Sequence, residues 1–180
     1  MEASNQIQLF GLDSKIKELF SLYDNNKLPN KIILSGSKGI GKCTMAYHFI
    51  NYVLSLDEEH AYDKDNFKIN TNNKSYKLIN NHISPNFYLL DVFQDKKNID
   101  INQVRSLINN LNKSSFNKKP RFVLIDNIEF LNVNSINALL KVLEEPNQDV
   151  HFILINNNSK VLPTLKSRCL DFKIFLSNNQ

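Results

Sequence analysis

The chain has 180 residues, 42% of them hydrophobic, and a net charge of +4, which fit one soluble globular domain that could contact nucleic acid but need not. No apolar run of about 18 residues occurs, and the first five residues lack the basic and apolar regions of a signal peptide, so a membrane-spanning or secreted protein is not expected. Cys43 and Cys169 lie far apart and outside any Cys-x-x-Cys spacing, which argues against a zinc site or disulfide framework and favours a cytoplasmic protein with no membrane partner.

Helix and strand signals alternate along the sequence. The apolar spacing predicts helices that begin at Asp13, after a glycine-rich turn at 36–41, near Asp100 and around Ile136. Asp13 or Ser14 is expected to cap the first helix, and Pro146 to end the last. Short apolar runs predict strands at 31–34, 87–90, 122–125, 150–155 and 170–175. This alternation implies right-handed crossovers and an α/β fold with a mostly parallel sheet.

The segment from Asp57 to His82 differs from the rest of the chain. It is rich in Asn, Lys and Asp and shows no strong periodicity. We interpret it as a surface insertion or a mobile loop within a single domain that covers residues 1–180.

A phosphate-binding loop is predicted between the first strand and the helix that follows it. Residues 36–44 read Gly-Ser-Lys-Gly-Ile-Gly-Lys-Cys-Thr, which matches the GxxxxGK[ST] pattern up to the last position. Glycines at 36, 39 and 41 let backbone N–H groups point at phosphate oxygens, and the helix offers its positive end to the same anion. Lys42 is expected to reach the β- and γ-phosphates, so the loop predicts nucleotide binding.

The last position of the motif departs from the pattern. Cys43 stands where a hydroxyl normally ligates Mg²⁺, and sulfur is a poor ligand for this hard cation. Thr44 follows one residue later, which is about 100° further around the helix, so its hydroxyl should point elsewhere. Weak or vestigial ATP binding is therefore expected, with doubtful Mg²⁺ and no zinc.

A carboxylate follows the third strand. Asp126 comes directly after the apolar run 122–125, where the Walker B aspartate of P-loop proteins lies. Capping of the next helix is the alternative role for Asp126. Asn127 and Glu129 follow it, and Glu129 shares a face with Asn127 only if the strand continues.

With these motifs, the chain resembles the AAA+ clamp-loader family, and the resemblance covers residues Leu9 to Cys169 of this chain. Three further stretches carry the resemblance, at 137–146, 152–157 and 162–169, the last containing Ser-Arg-Cys. The resemblance implies a five-stranded parallel sheet in the order 5-1-4-3-2. It also implies that Asn157 is the sensor residue and that Asn127 replaces the catalytic glutamate of active members.

In that family the arginine of the Ser-Arg-Cys motif serves a neighbouring subunit. The resemblance therefore implies that Arg168 acts as an arginine finger in trans. Its side chain should then be exposed near the C-terminal edge of the core, clear of its own phosphate loop, and without a buried carboxylate partner. A favourable interaction with the end of a short helix is the alternative.

Within the family, the glycine-rich loop and the stretch 100–105 are most similar to the delta-prime subunits of bacterial DNA polymerase III. The resemblance implies clamp loading in DNA replication with gamma/tau and delta subunits, a sliding clamp and primed DNA as partners. It also implies little intrinsic ATPase activity, and a nucleotide-binding core without the helical lid and collar domains. A gamma/tau-like ATPase and an unrelated P-loop nucleotide switch are the alternatives.

Overall fold

A computed structural model of the chain describes residues 2–92, 97–113, 117–144, 149–157 and 161–176. Its centre is a parallel five-stranded sheet, whose order from one edge is β5-β1-β4-β3-β2, as the family resemblance implies. The strands are β1 (Lys31–Ser35), β2 (Phe87–Leu90), β3 (Arg121–Ile125), β4 (Val150–Asn156) and β5 (Leu170–Lys173). The predicted α/β fold class is confirmed.

Helices cover both faces of the sheet. They are α1 (Asp13–Asp24), α2 (Lys42–Leu54), α3 (Lys74–Asn80), α4 (Ile101–Leu111), α5 (Val133–Glu144) and α6 (Pro163–Lys166). Phe122 and Leu124 of β3 pack with α1 and α2, whereas Val123 and Ile125 pack with α4 and α5. All four side chains are fully buried, which explains why this strand is apolar throughout. None of the described helices is long and apolar enough to span a membrane.

The start of α1 differs from the prediction. The residue that precedes the helix is Leu12, and neither Asp13 nor Ser14 caps it with a side chain. Leu12 is buried in the core, so packing sets the start of the helix. Asp100 does cap α4, in a reciprocal capping box with Gln103. The predicted stop at Pro146 lies outside the described residues.

The segment 57–82 contains a helix and buried side chains, which its composition did not predict. It contains α3, which Asn73 caps through its side chain. Three apolar side chains, those of Tyr62, Phe67 and Ile69, are buried against α1 and α2. Residues 67–69 also bond to the N-terminal strand-like segment, since the Ile69 N–H donates to the Ile7 carbonyl at 2.8 Å. Anchors of this kind hold a polar segment in place without producing a regular pattern.

Candidate nucleotide-binding site

The phosphate loop lies at the carboxyl edge of the sheet, between β1 and α2. Gly39 and Gly41 have φ values of +85° and +92°, which side chains rarely tolerate. Gly36 is required for a different reason, because a Cβ atom there would lie 2.3 Å from the carbonyl oxygen of Ile174. The three glycines thus form the tight turn that precedes the helix, as the motif predicts.

Lys42 is folded back onto the loop. Its Nζ donates to the carbonyl oxygens of Gly36 and Ser37 at 2.8 and 2.7 Å, and the residue is only 3% exposed. Burial lowers the pKa of the Lys42 ammonium, and the carboxylates of Asp126 and Glu129 oppose that shift. The positive charge therefore lies inside the loop, within electrostatic reach of the two carboxylates that follow β3.

Cys43, rather than Thr44, is the residue that faces Asp126. The thiol of Cys43 lies within electrostatic reach of the Asp126 carboxylate. Burial raises the pKa of Cys43 far above its ordinary value, and the negative charge of Asp126 adds to that rise. Burial also raises the pKa of Asp126, although the interaction with Cys43 opposes this. The position opposite the acid thus holds a neutral thiol, with half-buried Thr44 one residue further on.

A chain of amide and carboxylate groups continues from Asp126 across the carboxyl edge. The Asn127 amide donates to Oδ1 of Asp91 at 3.3 Å, and its Oδ1 accepts from Nδ2 of Asn157 at 2.9 Å. Nδ2 of Asn157 also donates to Oε1 of Glu129 at 3.0 Å. The backbone N–H of Asn127 donates to Oδ1 of Asp126 at 2.9 Å. The predicted residues Asp126, Asn127 and Asn157 therefore meet in one network, and Glu129 joins it from the 3₁₀ turn at Ile128–Phe130.

Two further residues of this edge, Asp91 and Asn156, were not predicted from the sequence. Asp91 follows β2 directly, just as Asp126 follows β3, so the same strand-end pattern was available. Asn156 ends β4, where its Nδ2 donates to Oγ of Ser35 at 3.4 Å and its carbonyl accepts from the N–H of Gly36 at 3.3 Å. Asn156 therefore joins β4 to the start of the phosphate loop.

Arg168 lies far from this site. It precedes β5, which runs parallel to β1, so it sits at the edge where the strands begin and the phosphate loop sits at the opposite edge. This position is clear of its own phosphate loop, as expected. Arg168 lies at this edge because it belongs to the turn between α6 and β5, and β5 begins at the edge where all the parallel strands begin.

The guanidinium of Arg168 is partly exposed but is not free. Nη2 lies 2.5 Å from Oε1 of Glu144, and Nη1 donates to the Thr164 carbonyl at 2.9 Å. The side chains are 31% and 53% exposed for Arg168 and Glu144, so the carboxylate partner is not a buried one. Glu144 is the last residue of α5, so this ion pair lies at an exposed helix end.

Comparison with known proteins identifies the family. A family model described as DNA polymerase III, delta subunit, matches residues 11–177. The chain belongs to this family. A DNA polymerase III subunit delta′ from Pseudomonas aeruginosa is 33% identical over 139 residues, which are 77% of this chain and 40% of that protein. The resemblance to delta-prime subunits is thus confirmed.

A second relative and a solved structure are also similar to this chain. A DNA polymerase III subunit gamma from Buchnera aphidicola subsp. Schizaphis graminum is 29% identical over 93% of this chain and 44% of its own length. A gamma subunit-related protein from Thermotoga maritima has a TM-score of 0.56 at 20% identity over 89% of this chain and 46% of that one, which shows a shared fold. The chain spans less than half the length of each of these proteins.

Proposed function

We propose that the chain is the nucleotide-binding core of a clamp-loader subunit that hydrolyses little or no ATP itself. In this proposal it places Arg168 against the nucleotide of a neighbouring subunit. The observation that carries the proposal is the amide of Asn127, which occupies the position next to Asp126 where a catalytic carboxylate is needed.

An amide at this position cannot act as a general base. The carboxamide of Asn127 does not accept a proton from water, and its two ends are already bonded to Asp91 and Asn157. A general base typically contributes about 10²–10⁴-fold to a rate. Hydrolysis at this chain's own site should be slower by about that factor than in a subunit that has the carboxylate.

The metal position supports the same conclusion. The half-buried, neutral thiol of Cys43 faces Asp126, where an oxygen ligand for Mg²⁺ would be required. Backbone N–H groups of the loop and the positive end of α2 remain suited to phosphate oxygens. We therefore expect weak ATP binding that depends little on Mg²⁺.

The partners follow from the family and remain part of the proposal. Relatives of this chain are named as delta′ and gamma subunits of DNA polymerase III. We propose that the chain assembles in the cytoplasm with gamma/tau and delta subunits. The assembly would then place a sliding clamp on primed DNA, with no membrane involved.

A gamma/tau-like ATPase is the second candidate, and one observation favours it. The carboxylate of Glu129 accepts a hydrogen bond from Asn157 and lies within electrostatic reach of Lys42. It is therefore a carboxylate at the edge of the nucleotide site, three residues after Asp126. In this alternative Glu129 takes the place of the missing base.

Steady-state ATPase measurements on the assembled clamp loader separate the two candidates. For the degenerate site, Lys42→Ala and Glu129→Gln in this chain should leave the rate of the complex nearly unchanged, whereas Arg168→Ala should lower it strongly. An arginine finger is worth about 10³–10⁵ in rate in other systems. Loss of ATPase activity with Lys42→Ala or Glu129→Gln, and none with Arg168→Ala, would establish the gamma/tau-like alternative instead.

A further inference from the structure

Two nitrogen atoms of the Arg168 guanidinium, Nη1 and Nη2, are hydrogen-bonded within its own chain. Nη1 donates to the Thr164 carbonyl at 2.9 Å and to Oγ of Ser167 at 3.4 Å, and Nη2 donates to Glu144 at 2.5 Å. A guanidinium has five N–H donors. Within the described ranges, the Nε–H and the second Nη2–H make no hydrogen bond, so two donors remain for an external anion.

The backbone under Arg168 is also fixed. Leu165 and Cys169, on either side of it, are buried in the core, and the N–H groups of Arg168 and Cys169 both donate to the Leu165 carbonyl at 3.1 Å. The Cα position of Arg168 is therefore set by packing. Only the long side chain has freedom to lose when it engages a ligand.

The backbone position of Glu144 is also fixed. It is the last residue of α5, which Leu139 and Leu143 anchor in the core. Nζ of Lys31 donates to the Leu143 carbonyl at 2.9 Å and so caps the end of this helix. The carboxylate thus projects from a rigid point, 24 residues before the arginine that it contacts.

Stability does not account for a carboxylate in this place. The C-terminal end of a helix disfavours negative charge. Ion pairs as exposed as Glu144 and Arg168 also contribute little to the free energy of unfolding. What the pair does achieve is orientation, because it selects one position for a side chain that otherwise samples many.

We propose that Glu144 is a positioning residue for Arg168. It holds one side of the guanidinium fork so that the Nε–H and the second Nη2–H face a phosphate group on a neighbouring subunit. This inference rests on the proposed function of Arg168 in trans. Ordering the fork in advance removes the entropy loss that binding would otherwise incur, which is how preorganised groups accelerate reactions.

The test uses the clamp loader assembled from the complete chain with its gamma/tau and delta partners and the clamp. Four variants of this chain are compared: Glu144→Ala, Glu144→Gln, Arg168→Ala and the double variant Glu144→Ala/Arg168→Ala. Glu18→Ala is the matched control, because Glu18 forms an exposed ion pair with Lys15 on α1. The readouts are kcat and KM for ATP hydrolysis, and the melting temperature of each chain.

Positioning predicts a particular pattern. Glu144→Ala should lower kcat by about threefold to tenfold with KM for ATP unchanged, since ATP is bound by the neighbour. Glu144→Gln should stay within about twofold of wild type, because an amide oxygen accepts from Nη2 in the same place. The double variant should match Arg168→Ala, and Glu18→Ala should match wild type with an equal melting temperature.

Other results overturn the inference in distinct ways. If Arg168→Ala lowers kcat but Glu144→Ala leaves it unchanged or raises it, positioning is wrong and the proposed function stands. If Glu144→Gln is as impaired as Glu144→Ala, the charge matters and not the orientation. If Glu144→Ala lowers kcat further in the Arg168→Ala background, Glu144 acts independently. If Arg168→Ala has no effect, both the inference and the proposed function fail.

Discussion

Acidification should destabilise the protein through His48, which is fully buried in α2. Its Nε2 lies 3.0 Å from the carbonyl oxygen of Gln6, which can only accept, so Nε2 carries the proton. Its Nδ1 lies 2.9 Å from the Tyr62 hydroxyl and accepts from it. The ring is therefore neutral and joins α2 to the N-terminal segment and to the segment 57–82. Burial lowers the pKa of His48 to about 4.

The sign and size of the effect follow from that pKa. In the unfolded chain the pKa of histidine is about 6.5, so between pH 6.5 and pH 4 the unfolded state binds more protons. The stabilisation is complete above pH 6.5 and is lost as the pH falls toward 4. Each pKa unit corresponds to about 1.4 kcal/mol, so lowering the pH from 7 to 4.5 should remove about 2 kcal/mol from the free energy of unfolding.

Urea denaturation at a series of pH values measures this loss, and His48→Gln provides the reference. Glutamine keeps a neutral donor and acceptor but does not titrate. Other groups titrate alike in both proteins, including His151, whose pKa burial also lowers. The difference in unfolding free energy between wild type and His48→Gln should therefore shrink by about 2 kcal/mol from pH 7 to pH 4.5. A difference that stays constant across this range would show that His48 titrates normally, and the argument from burial would be refuted.

Three further predictions concern the two edges of the sheet. Gly36→Ala should lower the free energy of unfolding by about 1–3 kcal/mol in urea titrations, because its Cβ must displace the Ile174 carbonyl. The double variant Asn127→Glu/Cys43→Ser should raise ATPase activity of the isolated protein by about 10²-fold or more, and an unchanged rate would mean that more than these two groups is missing. Arg168→Lys should lower ATPase activity of the assembled complex nearly as far as Arg168→Ala, since an ammonium cannot replace the planar fork; wild-type activity would contradict this.

The site could be predicted from the sequence where it depends on local order along the chain. A strand, a glycine turn and a helix place Lys42 and Cys43 by themselves, and an apolar run that ends in Asp126 marks the edge of a parallel sheet. Asn157, which follows β4, was identified through the family resemblance and not from local order. Asn156, one residue earlier, was missed because its bond to Ser35 depends on which strands are neighbours.

Tertiary contacts explain what the sequence did not reveal. Segment 57–82 has a polar composition, but a few separated side chains such as Tyr62 and Ile69 fix it to the core. The contact between Glu144 and Arg168 joins the end of α5 to the turn that follows α6. Neither the periodicity nor the composition of the sequence predicts this contact, because it depends on how α5 and α6 pack near the same edge of the sheet.

The position of Lys42 links anion binding to proton uptake. In the present arrangement the ammonium satisfies the carbonyls of Gly36 and Ser37, so a phosphate group must exchange with them rather than fill a vacant site. Burial lowers the pKa of Lys42, and a phosphate beside it would raise that pKa again. As the pH is raised, nucleotide affinity should therefore begin to weaken at a lower pH than it would if Lys42 had the pKa of an ordinary lysine. Calorimetry in that pH range should show binding heats that change with the ionisation enthalpy of the buffer.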